Sequence, residues 1–210
     1  MSKMEAKVYE YGQNWVIGVQ APDALVDMLD AQINANLHTF LSDKHNYTCK
    51  GDSVQQYWLQ KQNQNYIDDE PLGDAVAQFT KFVSELCVKV ELFDPRFLSH
   101  LRPQGMWTVL GGKGSFHTVH QHNAKGSVLG LSSVLYLNVP DTNDDEQPNN
   151  NIYFIMNSTP TTVFSPHQPN IVEISPKRGE LYIFPNWVLH GTYPQSEGTR
   201  QTFNVDYSAN

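Results

Sequence analysis

The chain has 210 residues, 40% hydrophobic and 11% aromatic, which is enough for one well-filled core and excludes a disordered chain. Lys and Arg total 14 against 22 Asp and Glu, a formal charge of −8, and no basic run could track phosphates, which argues against direct, charge-driven nucleic-acid binding. The opening MSKMEAKVYEYGQNW has no apolar leader segment, and nowhere do the roughly 20 apolar residues of a membrane span run together, so the expected location is cytoplasmic with no membrane partner.

In chain order, Pro22-Asp23 opens a helical pattern in which Leu25, Leu29, Ile33, Leu37 and Leu41 recur every fourth residue. Polar connections follow, SDKHNYTCKGDS and QKQNQNYIDDEPLG, to which no chemistry is assigned. A second stripe after Asp74, formed by Val76, Phe79, Phe82, Val83, Leu86 and Val90, ends before FDPRF, where Pro95 would stop a helix. Both stripes read as packing surface. Cys49 and Cys87 form no CxxC pair and Cys87 lies in the second stripe, so buried free thiols and a reducing compartment are expected.

From Met106 the texture changes to short β-rich segments: MWTVL, SFHTVHQ, VLGLSSVLYLNV, NIYFIM, NIVEI, ELYIF and TRQTFNVDY, separated by Gly, Pro and Asn. So many short strands in half a chain predict a barrel or a two-sheet jelly roll, with the helices against one outer face. The expected class is α+β, mainly β. We expect a single domain over 1–210, in which 1–100 is a helical buttress carrying substrate-loop elements and 101–210 is the β core. Pro140 to Asn151, PDTNDDEQPNNN, reads as a solvated hairpin tip.

The chemistry-bearing stretch is FHTVHQH. A strand period of two places Phe116, Thr118, His120 and His122 on one face and His117, Val119 and Gln121 on the other, so His120 and His122 can converge on a metal. A bare HxH also occurs by chance, and a third ligand must come from elsewhere. RGELYIFPNWVLHGTYPQ supplies His190 after an apolar strand and Pro185. His167, in SPHQPN, reads as a surface residue of a Pro-rich turn.

GMWTVL…SFHTVHQHNAKGSVLGLSSVLYLNVP and GELYIFPNWVLHG…TRQTFN together resemble the iron- and 2-oxoglutarate-dependent oxygenases, within them a small bacterial and phage group related to prolyl hydroxylases. The resemblance covers roughly 106–206 and implies a double-stranded β-helix, Fe(II) and 2-oxoglutarate as cofactors, and ascorbate as the assay reductant. It implies His120, His122 and His190 as metal ligands, and a phage-encoded member would act in a bacterial host. Arg200 follows His190 at the spacing of the family's cosubstrate arginine, Thr202 stands where an RxS hydroxyl would, and Tyr136 matches the tyrosine that reaches the same carboxylate. The chemistry agrees: three protein ligands leave three open positions, and an arginine fork suits a buried carboxylate.

One position departs from the usual HxD or HxE. The carboxylate place is His122, and no Asp or Glu lies between Asp94 and Asp141 to substitute for it. A third neutral imidazole leaves the iron one charge more positive. His117 would enter the site only if the strand bulges.

The implied activity is a dioxygenase that couples decarboxylation of 2-oxoglutarate to succinate and CO2 with hydroxylation of an unidentified small molecule or peptide. A cupin-like metal enzyme that does not use 2-oxoglutarate is the rival, since G-x5-HxH from Gly114 and G-x5-P-x4-H from Gly179 both fit, although the cupin Glu ligand is missing. A non-catalytic jelly-roll binding module is a third reading.

Overall fold

The structure is a computed structural model that describes residues 5–43, 48–51, 54–61, 64–65, 72–90, 101–122, 130–140, 150–156 and 171–209. In the first half, strands β1 (Lys7–Tyr11) and β2 (Asn14–Gln20) precede helix α1 (Asp23–Asn36). After α1 come β3 (Leu41–Asp43), β4 (Cys49–Lys50), β5 (Gln55–Trp58), β6 (Gln60–Lys61), β7 (Gln64–Asn65) and helix α2 (Leu72–Lys89). The second half holds β8 (Leu101–Gly111), β9 (Phe116–His117), β10 (Gly130–Asn138) and β11 (Ile152–Ile155). It closes with β12 (Ile171–Ile174), β13 (Glu180–Pro185), β14 (Leu189–Thr192) and β15 (Arg200–Ala209).

These strands make an eight-stranded antiparallel sheet, in the order β1-β2-β13-β10-β15-β8-β5-β3, and a smaller one, β12-β11-β14. Strand alternation supplies the main sheet with two apolar faces. Ile17, Leu135, Ile183, Phe203 and Val205 face outward onto Leu29, Ile33, Phe79 and Val83 of the helices, with Phe79 set edge-on to Phe203 at 5.2 Å. Val16, Val134, Tyr182 and Phe184 face inward onto Ile152, Phe154 and Val172 of the small sheet. The result is the jelly-roll core with helices on one outer face that the strand pattern predicts.

The first half is not only a helical buttress. β1 and β2 extend one edge of the main sheet, and β5 and β3 the other. The leucine stripe also divides: Leu25, Leu29 and Ile33 are buried on α1, but Leu37 begins a 3-10 turn and Leu41 lies on β3, 42% exposed. A four-residue spacing persisted across a helix end and so overstated the helix length. Val76, Phe79, Val83 and Leu86 form the buried face of α2 as expected. Cys87 is buried and Cys49 half-buried, both as free thiols. Most of the expected hairpin tip at 140–151, and His167, lie outside the described residues. Among those residues, no helix is long and apolar enough to cross a membrane.

Candidate functional site

The stretch 116–122 does not run as one strand. β9 pairs with β4 only at Phe116 and His117, after which the chain leaves that ladder and touches the small sheet through one bridge between His120 and His190. The bridge has two hydrogen bonds, His120 N–H to the His190 carbonyl at 2.9 Å and the reverse at 3.0 Å. His122 is fixed in the same way, its N–H donating to the Asn186 carbonyl at 2.8 Å. The imidazoles of His120, His122 and His190 therefore meet, with one ring nitrogen of each within 4.8 Å of the others.

Three Nδ1 contacts decide which nitrogens are offered. His120 Nδ1 lies 2.7 Å from the Thr118 carbonyl, His190 Nδ1 3.0 Å from the Val188 carbonyl and His122 Nδ1 2.7 Å from Asp206 Oδ1. An Nδ1–H that donates to an oxygen leaves the Nε2 lone pair free, which is the tautomer a metal ligand needs. Burial, and then the neighbouring imidazoles, hold His190 well below the ordinary histidine range; burial and His122 lower His120 to about 4. Both rings are thus neutral near pH 7. Phe184, with its centroid 4.6 Å from that of His190, and Trp107, at 5.3 Å from His122, wall the cluster.

The histidines line one side of a pocket of about 270 Å³ that also contains Tyr136, Arg200, Thr202, Asn204 and Asp206. β15 explains that row: Arg200, Thr202, Asn204 and Asp206 alternate with Gln201, Phe203, Val205 and Tyr207, so the polar set enters the pocket while the alternate set turns toward the helices. Arg200 is only 6% exposed and donates to the Asn150 carbonyl at 3.3 Å and Thr192 Oγ1 at 3.1 Å. Among the described residues it has no carboxylate partner. Burial lowers its pKa, partly offset by Tyr136. Thr202 Oγ1 accepts from Asn204 Nδ2 at 3.0 Å, which leaves its own O–H free to donate. Tyr136 is buried on β10 opposite Thr202, and burial pushes its phenol up to about 12, so it too is a neutral donor.

All six residues expected from the sequence thus line a single pocket. His117 does as well, contrary to its expected place on the other face, because the period of two is lost where the chain leaves the ladder at Thr118. Its Nε2 lies 2.9 Å from Cys49 Sγ, and burial lowers its pKa to about 3. Sequence reasoning missed Asp206, although the alternation of TRQTFNVDY carried the signal.

Three imidazole nitrogens with their far sides anchored fit a transition metal ion, and a buried guanidinium with no carboxylate among the described residues fits a dicarboxylate bound beside it. Residues 105–206 match a family model described as "Putative 2OG-Fe(II) oxygenase". Over its β core the chain is similar to the 2OG-Fe(II) oxygenases.

The fold is similar to that of a Pseudomonas putida prolyl-4-hydroxylase, with a TM-score of 0.61 at 15% identity over 100% of this chain and 95% of that one. HygX from Streptomyces hygroscopicus, solved with nickel and 2-oxoglutarate bound, gives a TM-score of 0.60 at 10% identity, covering 94% of this chain and 84% of that one. SnoN, an alpha-ketoglutarate-dependent epimerase from nogalamycin biosynthesis, gives 0.59 at 13% identity, covering 93% and 77%. No curated protein matches the sequence. The cofactors of this family are Fe(II) and 2-oxoglutarate, and the family match favours neither the cupin-like nor the binding-module alternative.

Proposed function

We propose that the protein is a 2-oxoglutarate-dependent dioxygenase that hydroxylates a small molecule or a peptide, with release of succinate and CO2. The observation that carries the reading is Arg200, a buried cation without a carboxylate partner among the described residues, in the same pocket as three converging imidazoles. His120, His122 and His190 would hold Fe(II) through their Nε2 atoms. Bound iron would supply activation of dioxygen coupled to oxidative decarboxylation of the cosubstrate.

The chain's own residues do the positioning. Arg200 offers a two-pronged donor to the far carboxylate of 2-oxoglutarate, and the Thr202 and Tyr136 hydroxyls donate to its remaining lone pairs. The apolar wall of Ile152 and Val134 excludes water from the stem between the two ends. Trp58 and Trp107, their centroids 5.4 Å apart and their rings tilted by 49°, line the same pocket and offer aromatic surface to the substrate. Hydroxylation is carried over from the sequence resemblance of the paired-His and distal-His segments to the group related to prolyl hydroxylases. The same reading makes the first half, with its two helices and edge strands, a scaffold and substrate wall for the core, in one cytoplasmic domain.

Thermal shift tests this before a substrate is known, because a ligand selective for the folded state raises the melting temperature by mass action. Mn(II) should stabilise the wild type, and Mn(II) plus N-oxalylglycine should stabilise it further. Arg200→Ala should keep the first shift and lose the second. Aerobic incubation with Fe(II), ascorbate and 2-oxoglutarate should release succinate slowly. A metal-loaded wild type with no additional shift and no succinate would sink the proposal.

A further inference from the structure

The three metal-facing imidazoles differ in what stands behind them. His120 and His190 each donate Nδ1–H to a neutral backbone carbonyl, of Thr118 and Val188. His122, which occupies the position where the family pattern has a carboxylate ligand, donates instead to a carboxylate, Asp206 Oδ1 at 2.7 Å. Ser132 Oγ–H donates to that same oxygen at 2.7 Å and sits 3.1 Å from His122 Nδ1, so the carboxylate is held on both sides. Asp206 and Ser132 are directly opposed in the β10–β15 register, which places the arrangement on two central strands rather than on loops.

We infer that Asp206 is the positioning residue that returns to the metal centre, through His122, the negative charge that the substitution of histidine for a carboxylate ligand removed. The inference rests on the reading of His120, His122 and His190 as the metal ligands. A carboxylate hydrogen-bonded to the far nitrogen of an imidazole fixes its tautomer and raises the basicity of its metal-facing nitrogen. One neutral ligand backed by a charge then does electrostatically what an anionic ligand does directly. The negative charge lies one ring further from the metal and offsets one of the ion's two positive charges.

A two-by-two set of variants separates this role from packing. Co(II) affinity, measured by competition with a chelating dye, is compared in wild type, Asp206→Asn, His122→Asp and the double variant. Asn keeps a hydrogen-bond acceptor but removes the charge, so Asp206→Asn should weaken Co(II) about 10–100-fold. His122→Asp brings a second carboxylate beside Asp206; in that background Asp206→Asn should strengthen binding, reversing its sign. A purely structural Asp206 would cost the same in both backgrounds, and that result, like an unchanged Co(II) affinity in Asp206→Asn, overturns the inference. The midpoint potential of bound iron gives an independent reading that uses only the single variant: loss of the charge should raise it, and an unchanged potential counts against the role. A wild type that takes up no Co(II) would remove the three-histidine reading itself, and this inference with it.

Discussion

At the scale of single residues, the site is a group of bases kept uncharged by burial. His117 at about 3 and His120 at about 4 are lowered first by desolvation, and each is lowered further by other imidazoles. In the unfolded chain the same groups titrate near 6.5. Between these values the unfolded state binds more protons, so the metal-free protein should lose stability as pH falls from about 6.5 to about 4. For His120 alone the loss approaches about 3 kcal/mol once pH has passed its folded value. Urea denaturation of the chelator-treated protein at pH 7, 6, 5 and 4 checks this, and a flat profile would contradict it. His120 and His122 were legible from the strand period and His190 as the third histidine after an apolar strand, whereas Arg200 stood out only through the family resemblance and its spacing from His190. Asp206 was less legible, since its partner stands 84 residues away and only a strand pairing brings the two together.

At the scale of elements, the distal histidine depends on how closely β14 approaches β9 and β11. Gly191, beside His190, leaves no room for a side chain: an added Cβ would lie 2.9 Å from the His117 carbonyl oxygen and 2.4 Å from Tyr153 Oη. The tyrosine tip can move, whereas the carbonyl is backbone. Gly191→Ala should therefore push the strands apart, cost about 1–3 kcal/mol of stability and weaken metal binding by displacing His190. Denaturant melts and Co(II) titration measure the two effects, and a variant with normal stability and affinity would show that the approach does not matter. The strands of the second half were readable from their β-rich segments. β1 and β2 were readable in principle, since Gly12, at φ 60°, opens a two-residue hairpin loop between them, Tyr11 pairing with Asn14. The leucine stripe that follows at α1 gave the first half a helical texture and concealed them.

At the scale of the whole molecule, the two faces of one sheet have separate duties. The outer face closes against α1 and α2 as an ordinary core, and the inner face divides between apolar packing on the small sheet and the polar row of β15. Alternation made this division visible in the sequence strand by strand, but not which strands are neighbours. The order β13-β10-β15-β8 joins segments distant in the chain, and no local pattern encodes that adjacency. The doubly hydrogen-bonded bridge between His120 and His190 belongs to this long-range class, joining residues 70 positions apart. Its consequence is kinetic. The three imidazoles meet only through such long-range pairing, so the metal is expected to bind the folded molecule and neither the unfolded chain nor a partly formed sheet. Saturating Mn(II) should then leave the refolding rate unchanged and slow unfolding, about a hundredfold at a concentration about 100 times Kd. Stopped-flow traces with and without the ion distinguish the two limbs, and faster refolding would mean that the histidines gather early and guide the rest of the chain.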